Sequence, residues 1–183
     1  ISGTSDLAPL DQQADMLLEL LPEAQNVGIL YCSAEANSVY QADVVKAALE
    51  AKGVNVTVYT FADSNDVATV TQTACAENDA LYIPTDNTAA SCTEAINNVA
   101  EPAGVPIVAG EEGICKGCGI ATLSIDYYEL GKTTGAMAAK ILTGEANVSE
   151  MPIEYYQNPV KKYDAARCEA LGITVPSDYV AIG

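Results

Sequence analysis

The chain has 183 residues, 49% of them hydrophobic, which suits one domain with a packed core. Its formal net charge of −17 opposes binding to phosphate backbones and anionic lipid surfaces, and no apolar run reaches the ~20 residues that span a bilayer. The sequence has no histidine, so Ser-His and Cys-His nucleophile pairs and every histidine metal site are excluded.

Along the chain, helical and strand periodicities alternate. Residues 10–21 predict an amphipathic helix with Leu10, Ala14, Leu17, Leu18 and Leu21 on one face and Pro22 near its end. Residues 27–31 form a short apolar run, read as a buried strand. A helix over 38–51 turns Val44, Val45, Ala48 and Leu49 inward and stops at Lys52-Gly53. Residues 54–59 alternate as a strand. A helix over 67–76 follows, with Asp66 as N-cap. Residues 80–83, 105–109 and 120–124 read as strands, with a helix over 88–99 between the first two. A long helix covers 126–142 and ends at Thr143-Gly144-Glu145. Weaker signals give a strand at 153–156 and a short helix at 164–171, and 145–152 is the one linker-like segment. Strand-helix alternation at this spacing predicts a Rossmann-like, doubly wound α/β fold with a mostly parallel sheet of five to six strands.

Six cysteines are present: Cys32, Cys75, Cys92, Cys115, Cys118 and Cys168. Their even number permits disulfides in an exported protein without revealing connectivity. Cys115 and Cys118 form the only C-x-x-C pair; no second pair completes a zinc site, so no metal is expected. By composition, residues 113–119 read as a loop, and the thiols are read as packing groups without a role.

In open parallel sheets, ligands sit beyond the carboxyl ends of the strands. Small polar and acidic residues gather in the loops that follow those ends. Asn37 and Ser38 open a helix, where free N–H groups favour a carboxylate; N-capping is the alternative. Thr85, Asp86 and Asn87 precede another helix, and Asp86 either accepts from an ammonium group or caps. Glu111 and Glu112 add negative charge on a loop, with plain solvation as the alternative. Asp126 caps the long helix or meets the ligand, and Tyr127 and Tyr128 offer flat apolar faces with polar tips. A flavodoxin-like enzyme would need a glycine-rich phosphate loop after the first buried strand, and residues 32–38 contain no glycine. Carboxylate pairs for glycosidase chemistry have no local support.

Six stretches share one family pattern in order: residues 3–6, 35–38, 84–88, 109–113, 121–131 and 169–176. Together they closely resemble the ABC transporter substrate-binding family that includes the TrpX-type aromatic amino acid binders. The resemblance spans essentially the whole chain. It implies one lobe of a type I periplasmic binding protein, whose two Rossmann-like lobes close on a small ligand at a hinge. Members of the family begin with a further long stretch that forms most of the first lobe. This chain then corresponds to the second lobe and the returning segment, a single α/β lobe over 1–183 in which 125–150 is a hinge-crossing helix segment.

The same resemblance implies a non-enzymatic, cofactor-free module that binds an amino acid and delivers it to ABC permease subunits. It also implies an extracytoplasmic location, periplasmic or lipid-anchored at the outer face of the cell membrane. The expected ligand-binding residues are Asn37, Ser38, Thr85, Asp86, Asn87, Glu111, Asp126 and Tyr127. A ligand-sensing module of a signalling protein is the alternative function. The apolar face of the 126–142 helix (Leu130, Thr134, Met137, Ala138, Ile141) is expected to pack on the sheet or to pair with a second copy as a dimer.

Overall fold

The computed structural model describes residues 1–183. A seven-stranded sheet carries the fold, in the order β3-β2-β4-β5-β6-β8-β9. Its parallel part comprises β2 (Asn26–Cys32), β3 (Asn55–Phe61), β4 (Ala80–Ile83), β5 (Ile107–Ala109) and β6 (Ala121–Ser124). Strand β8 (Val160–Tyr163) adds antiparallel to β6, and β9 (Val180–Ala181) lies beside β8. A separate two-stranded ribbon pairs β1 (Thr4–Ser5) with β7 (Glu154–Tyr155). Strands β1, β8 and β9 were not anticipated: they are short and half-exposed, and they borrow their hydrogen bonds from distant partners rather than from a local pattern.

Alternation along each strand sorts the core into two layers. Val27, Ile29 and Tyr31 face one side with Tyr82 and Val108; Leu30 and Cys32 face the other with Leu81, Ile83 and Ile107. The first side is covered by α1 (Leu10–Leu20) and α2 (Ala36–Glu50). The second is covered by α3 (Val67–Glu77), α4 (Asn87–Ser91), α5 (Thr93–Ala103) and α6 (Glu112–Cys118). The helix expected over 88–99 is therefore two helices, broken at Cys92. Asp66 precedes α3 without making a side-chain cap.

The segment 113–119, expected as a loop, is mostly helix α6. Three contacts overcome its glycines. Glu111 accepts from the N–H groups of Gly113 and Ile114 at its start. At its end Arg167, in α8 (Ala165–Ala170), donates to the carbonyls of Lys116 (3.1 Å) and Gly117 (2.8 Å). Gly117 also lets α6 approach α5 closely, since a Cβ there would lie 2.3 Å from Thr93. Cys115 and Cys118 consequently point into the core.

Helix α7 (Tyr127–Leu142) departs further from expectation. Of its apolar face only Leu130 and Met137 are buried; Ile141 is exposed, and Leu142 is 86% exposed. The helix does not pack back on the sheet. It lies against the β1-β7 ribbon, with a Thr4–Thr134 hydroxyl contact at 2.6 Å.

One polar side chain is fully buried within the α1 stripe. Gln13 donates to the carbonyl oxygens of Gly110 and Leu123, both at 3.1 Å, and accepts from the Tyr82 hydroxyl. It joins α1 to the ends of β4, β5 and β6. Gln13→Ala leaves these buried partners unpaired and is expected to lower stability by about 2–4 kcal/mol in urea denaturation.

All six cysteines are free thiols; five are buried, and Cys92 is half-buried. Burial raises the Cys115 thiol strongly, and carries Cys118 to about 12 and Cys168 to about 11. In the folded protein Cys92 is therefore expected to react first with a thiol reagent, the others at least ~10-fold more slowly until denaturant is added.

Candidate functional site

The strand order reverses between β2 and β4. The chain leaves β2 for α2 on one face of the sheet and leaves β4 for α4 on the other, which opens a crevice at the carboxyl edge. Two carboxylates cross it. Asp86, 1% exposed, accepts from the Cys32 N–H at 2.8 Å and caps α4 through the Ala89 N–H at 2.7 Å. Glu35 reaches over from the β2-α2 loop and accepts four hydrogen bonds: from Asn87 N–H and Nδ2, each at 2.9 Å, and from Thr88 N–H (2.8 Å) and Oγ1 (2.7 Å). Partial burial works to raise the Glu35 carboxyl, but these four donors outweigh it and hold the group at about 2.

The loops after β4 and β5 are held equally close. Gly110 donates to the Ile83 carbonyl at 2.7 Å, and a Cβ at Gly110 would come within 2.5 Å of the Thr85 nitrogen. Thr85 is held through its main chain: its N–H donates to Gln41 Oε1 (3.1 Å), and its carbonyl accepts from Asn37 Nδ2 (2.9 Å).

Five loops along this rim lead into helices. Side chains fill the start of three: Asp86 and Glu35 at α4, Glu111 at α6, and Asp126 at α7, where it accepts from Glu129 N–H at 3.0 Å. The other two, α3 and α2, have no side-chain cap; Glu35 holds the N-cap position of α2. In its first turn lies Ser38, wholly buried, whose hydroxyl has no hydrogen-bond partner. Ser38 therefore does not cap.

The expected site residues fall into three groups. Asn37, Thr85 and Asn87 line a concavity of about 400 Å³ together with Asp6, Tyr40 and Gln41. Glu111, Asp126 and Tyr127 line a second one of about 250 Å³, shared with Tyr156 and Lys162. Asp86 and Ser38 lie beneath the surface. For Asp86 this corrects the expectation of an ammonium partner: both its oxygens are taken by main-chain donors, and solvent does not reach it. Glu112, expected as a solvated charge, pairs with Lys162 at 2.5 Å. Tyr127 is 49% exposed, and its phenol is raised by burial first and then by the charges of Asp6 and Glu111.

Sequence reasoning missed Glu35, Gln41 and Asp6 as site residues. Glu35 carried one usable signal, an acidic side chain in the first loop of a doubly wound sheet. A larger concavity, about 640 Å³, lies at the opposite edge between α5, α8 and the starts of β5 and β6. Its one cation, Arg167, is engaged in holding α6 and Asp164, so size alone does not mark the site.

A sequence profile described as "ABC transporter substrate binding protein" matches residues 1–181. The chain belongs to this family. A relative named tyrosine-binding protein, from Clostridioides difficile (strain R20291), is 31% identical over 153 residues, covering 84% of this chain and 44% of the relative. A structure described as the ABC domain in complex with L-Trp, from Streptococcus pneumonia, superposes with a TM-score of 0.88 at 29% identity, covering 96% of this chain and 59% of the other. The ligand-free, open form of a substrate binding protein with adhesive properties, from Clostridium difficile, gives a TM-score of 0.80 at 32% identity, with 100% and 63% coverage. The chain thus spans about half to three-fifths of the relatives it matches. A LacI family transcriptional regulator from Bifidobacterium animalis, at 13% identity and a TM-score of 0.66, shares the fold alone. The family, the tyrosine-binding relative and the substrate binding protein of known structure are binding proteins. No helix of this chain is long and apolar enough to cross a membrane.

The Glu35 clamp makes a pH-dependent contribution to stability. The folded-state carboxyl is depressed, from 4.5 to about 2, so its ionised form favours folding; this contribution is complete above 4.5 and is lost as pH falls toward 2. Melting temperatures measured from neutral pH down to acid are expected to show Glu35→Gln already destabilised at neutral pH, and losing less than the parent across that window.

Proposed function

We propose that this chain supplies one lobe of a two-lobed solute-binding protein that captures an amino acid, aromatic by preference, and delivers it to the permease of an ABC importer. The observation that carries this reading is the uncapped start of α2. Along a rim where carboxylates of the chain itself fill three helix starts, α2 and α3 are left uncapped, and of these two α2 alone presents its free N–H groups beside an unpaired buried hydroxyl, that of Ser38. A ligand carboxylate there takes the place that Glu35, Asp86, Glu111 and Asp126 take elsewhere, next to Asn37 and Asn87. The ammonium end then faces the acidic side of the rim, and Tyr127 lines the side-chain pocket. The printed names of two relatives, a tyrosine-binding protein and a complex with L-Trp, support an aromatic ligand.

In this reading residues 125–150 cross toward the other lobe, which covers Tyr128, Ile141 and Leu142 on α7; in the isolated lobe a second copy pairs with the same face. The lobes close on the ligand, and the closed form docks on the permease at the extracytoplasmic face of the membrane, where a lipid anchor retains the protein. The module binds and releases its solute unchanged.

A thermal-shift screen of the twenty amino acids on the two-lobed protein tests the assignment. Tryptophan or tyrosine at 100-fold its Kd is expected to add about 2.7 kcal/mol of stability. If no amino acid raises the melting temperature, the ligand class is wrong.

A further inference from the structure

Resting on that reading of the rim, the geometry points to Asp6 as the carboxylate that reads the ligand's ammonium group. The rim's acidic side chains are mostly engaged within the fold. Glu35 has four donors and Asp86 two; Glu111 caps α6, Glu112 is paired with Lys162, and Asp126 has one oxygen on α7. Asp6 differs from all of them. It is exposed, makes neither hydrogen bond nor ion pair, and lies in the segment joining β1 to α1. That segment is fixed on either side of Asp6: Ser5 pairs with Tyr155 in the ribbon and accepts from the Leu7 N–H at 3.3 Å, and Ala8 is buried.

Asp6 lines the concavity of about 400 Å³ that also holds Asn37, the side chain beside the open start of α2. It also lies near the second concavity, since its charge acts on the Tyr127 phenol together with that of Glu111. An uncommitted carboxylate and Asn37, a residue of the uncapped first turn of α2, line this one concavity, an anion opposite in polarity to the helix start. A zwitterionic α-amino acid matches that polarity, and a second ligand carboxylate near Asp6 is repelled. Both parts of the rim face the same small volume, so the selected group is an α-ammonium and not a distant side-chain amine. Because Asp6 has no partner to lose, replacing it removes recognition without disturbing the fold.

Isothermal titration of the two-lobed protein and its Asp6→Asn variant with L-tyrosine, L-tyrosine methyl ester and 3-(4-hydroxyphenyl)propionate decides the matter. The variant is expected to bind L-tyrosine and its ester about ten- to a hundredfold more weakly, as the loss of one charged hydrogen bond implies. It should bind the propionate, which lacks the amine, as the parent does, and Asp6→Glu should recover part of the tyrosine affinity. Equal tyrosine affinity in parent and variant overturns the assignment, and so does an equal loss for tyrosine and the propionate. A weaker variant with a lowered melting temperature overturns it too, because Asp6 would then be structural. If the parent protein itself binds neither tyrosine nor tryptophan, the function proposed for the rim fails and the Asp6 assignment falls with it; tyrosine binding that persists in Asp6→Asn removes the Asp6 assignment alone.

Discussion

The structure depends on how a parallel sheet closes the gap left where its strand order reverses. At the β2/β4 boundary the chain departs to opposite faces, and no strand hydrogen bonds link the two loops beyond that point. Here two carboxylates do the linking. Asp86 joins the end of β2 to the start of α4 from below, and Glu35 joins the β2-α2 loop to the same helix from above. Each accepts main-chain N–H groups that would otherwise remain unpaired at a helix start. Much of the acidity at this edge is thus internal architecture rather than a field offered to a partner.

This use of carboxylates also defines what is left open. Once three helix starts are filled by the chain's own side chains, the open start of α2, with the unpaired Ser38 in its first turn, becomes the distinguishing feature of the edge. Rigidity beneath it comes from Gln13, which holds Gly110, Leu123 and Tyr82 together, and from the close approach of Gly110 to Thr85. A binding rim gains affinity when its donors are already in place, because less ordering is needed on association. The rim here is held from below by buried contacts, whereas α7 and the β1-β7 ribbon stand apart with apolar side chains in solvent. The two regions thus differ physically: one is a pre-organised surface, the other an element with uncovered apolar area.

The comparison with longer relatives fits this division. The chain aligns along nearly its whole length with substrate-binding proteins of which it spans only part. Its well-covered portion is the doubly wound sheet. Its poorly covered portion is the helix and ribbon after Ile125, where Tyr128, Leu142, Ile153 and Tyr155 remain exposed.

Much of the fold was legible in the amino-acid order because buried parallel strands and amphipathic helices write their periodicity locally. Val27, Ile29 and Leu30, or Leu10, Ala14 and Leu17, betray their element without any partner. The rim was legible only as a set of polar loops at the carboxyl edge, together with the family pattern those loops carry. Tertiary structure decided the rest, for the same reason in each case: the deciding contact lies far along the chain. Residues 113–119 became a helix because Arg167 supplies donors to its end. The short strand β8 exists because β6 offers it an edge. Asp86 became a fastener because Cys32 lies against it, and Asp6 was left free because nothing in the fold comes to meet it. Local order thus determined the elements and their class, while long-range proximity alone determined which charged groups hold the molecule together and which face outward.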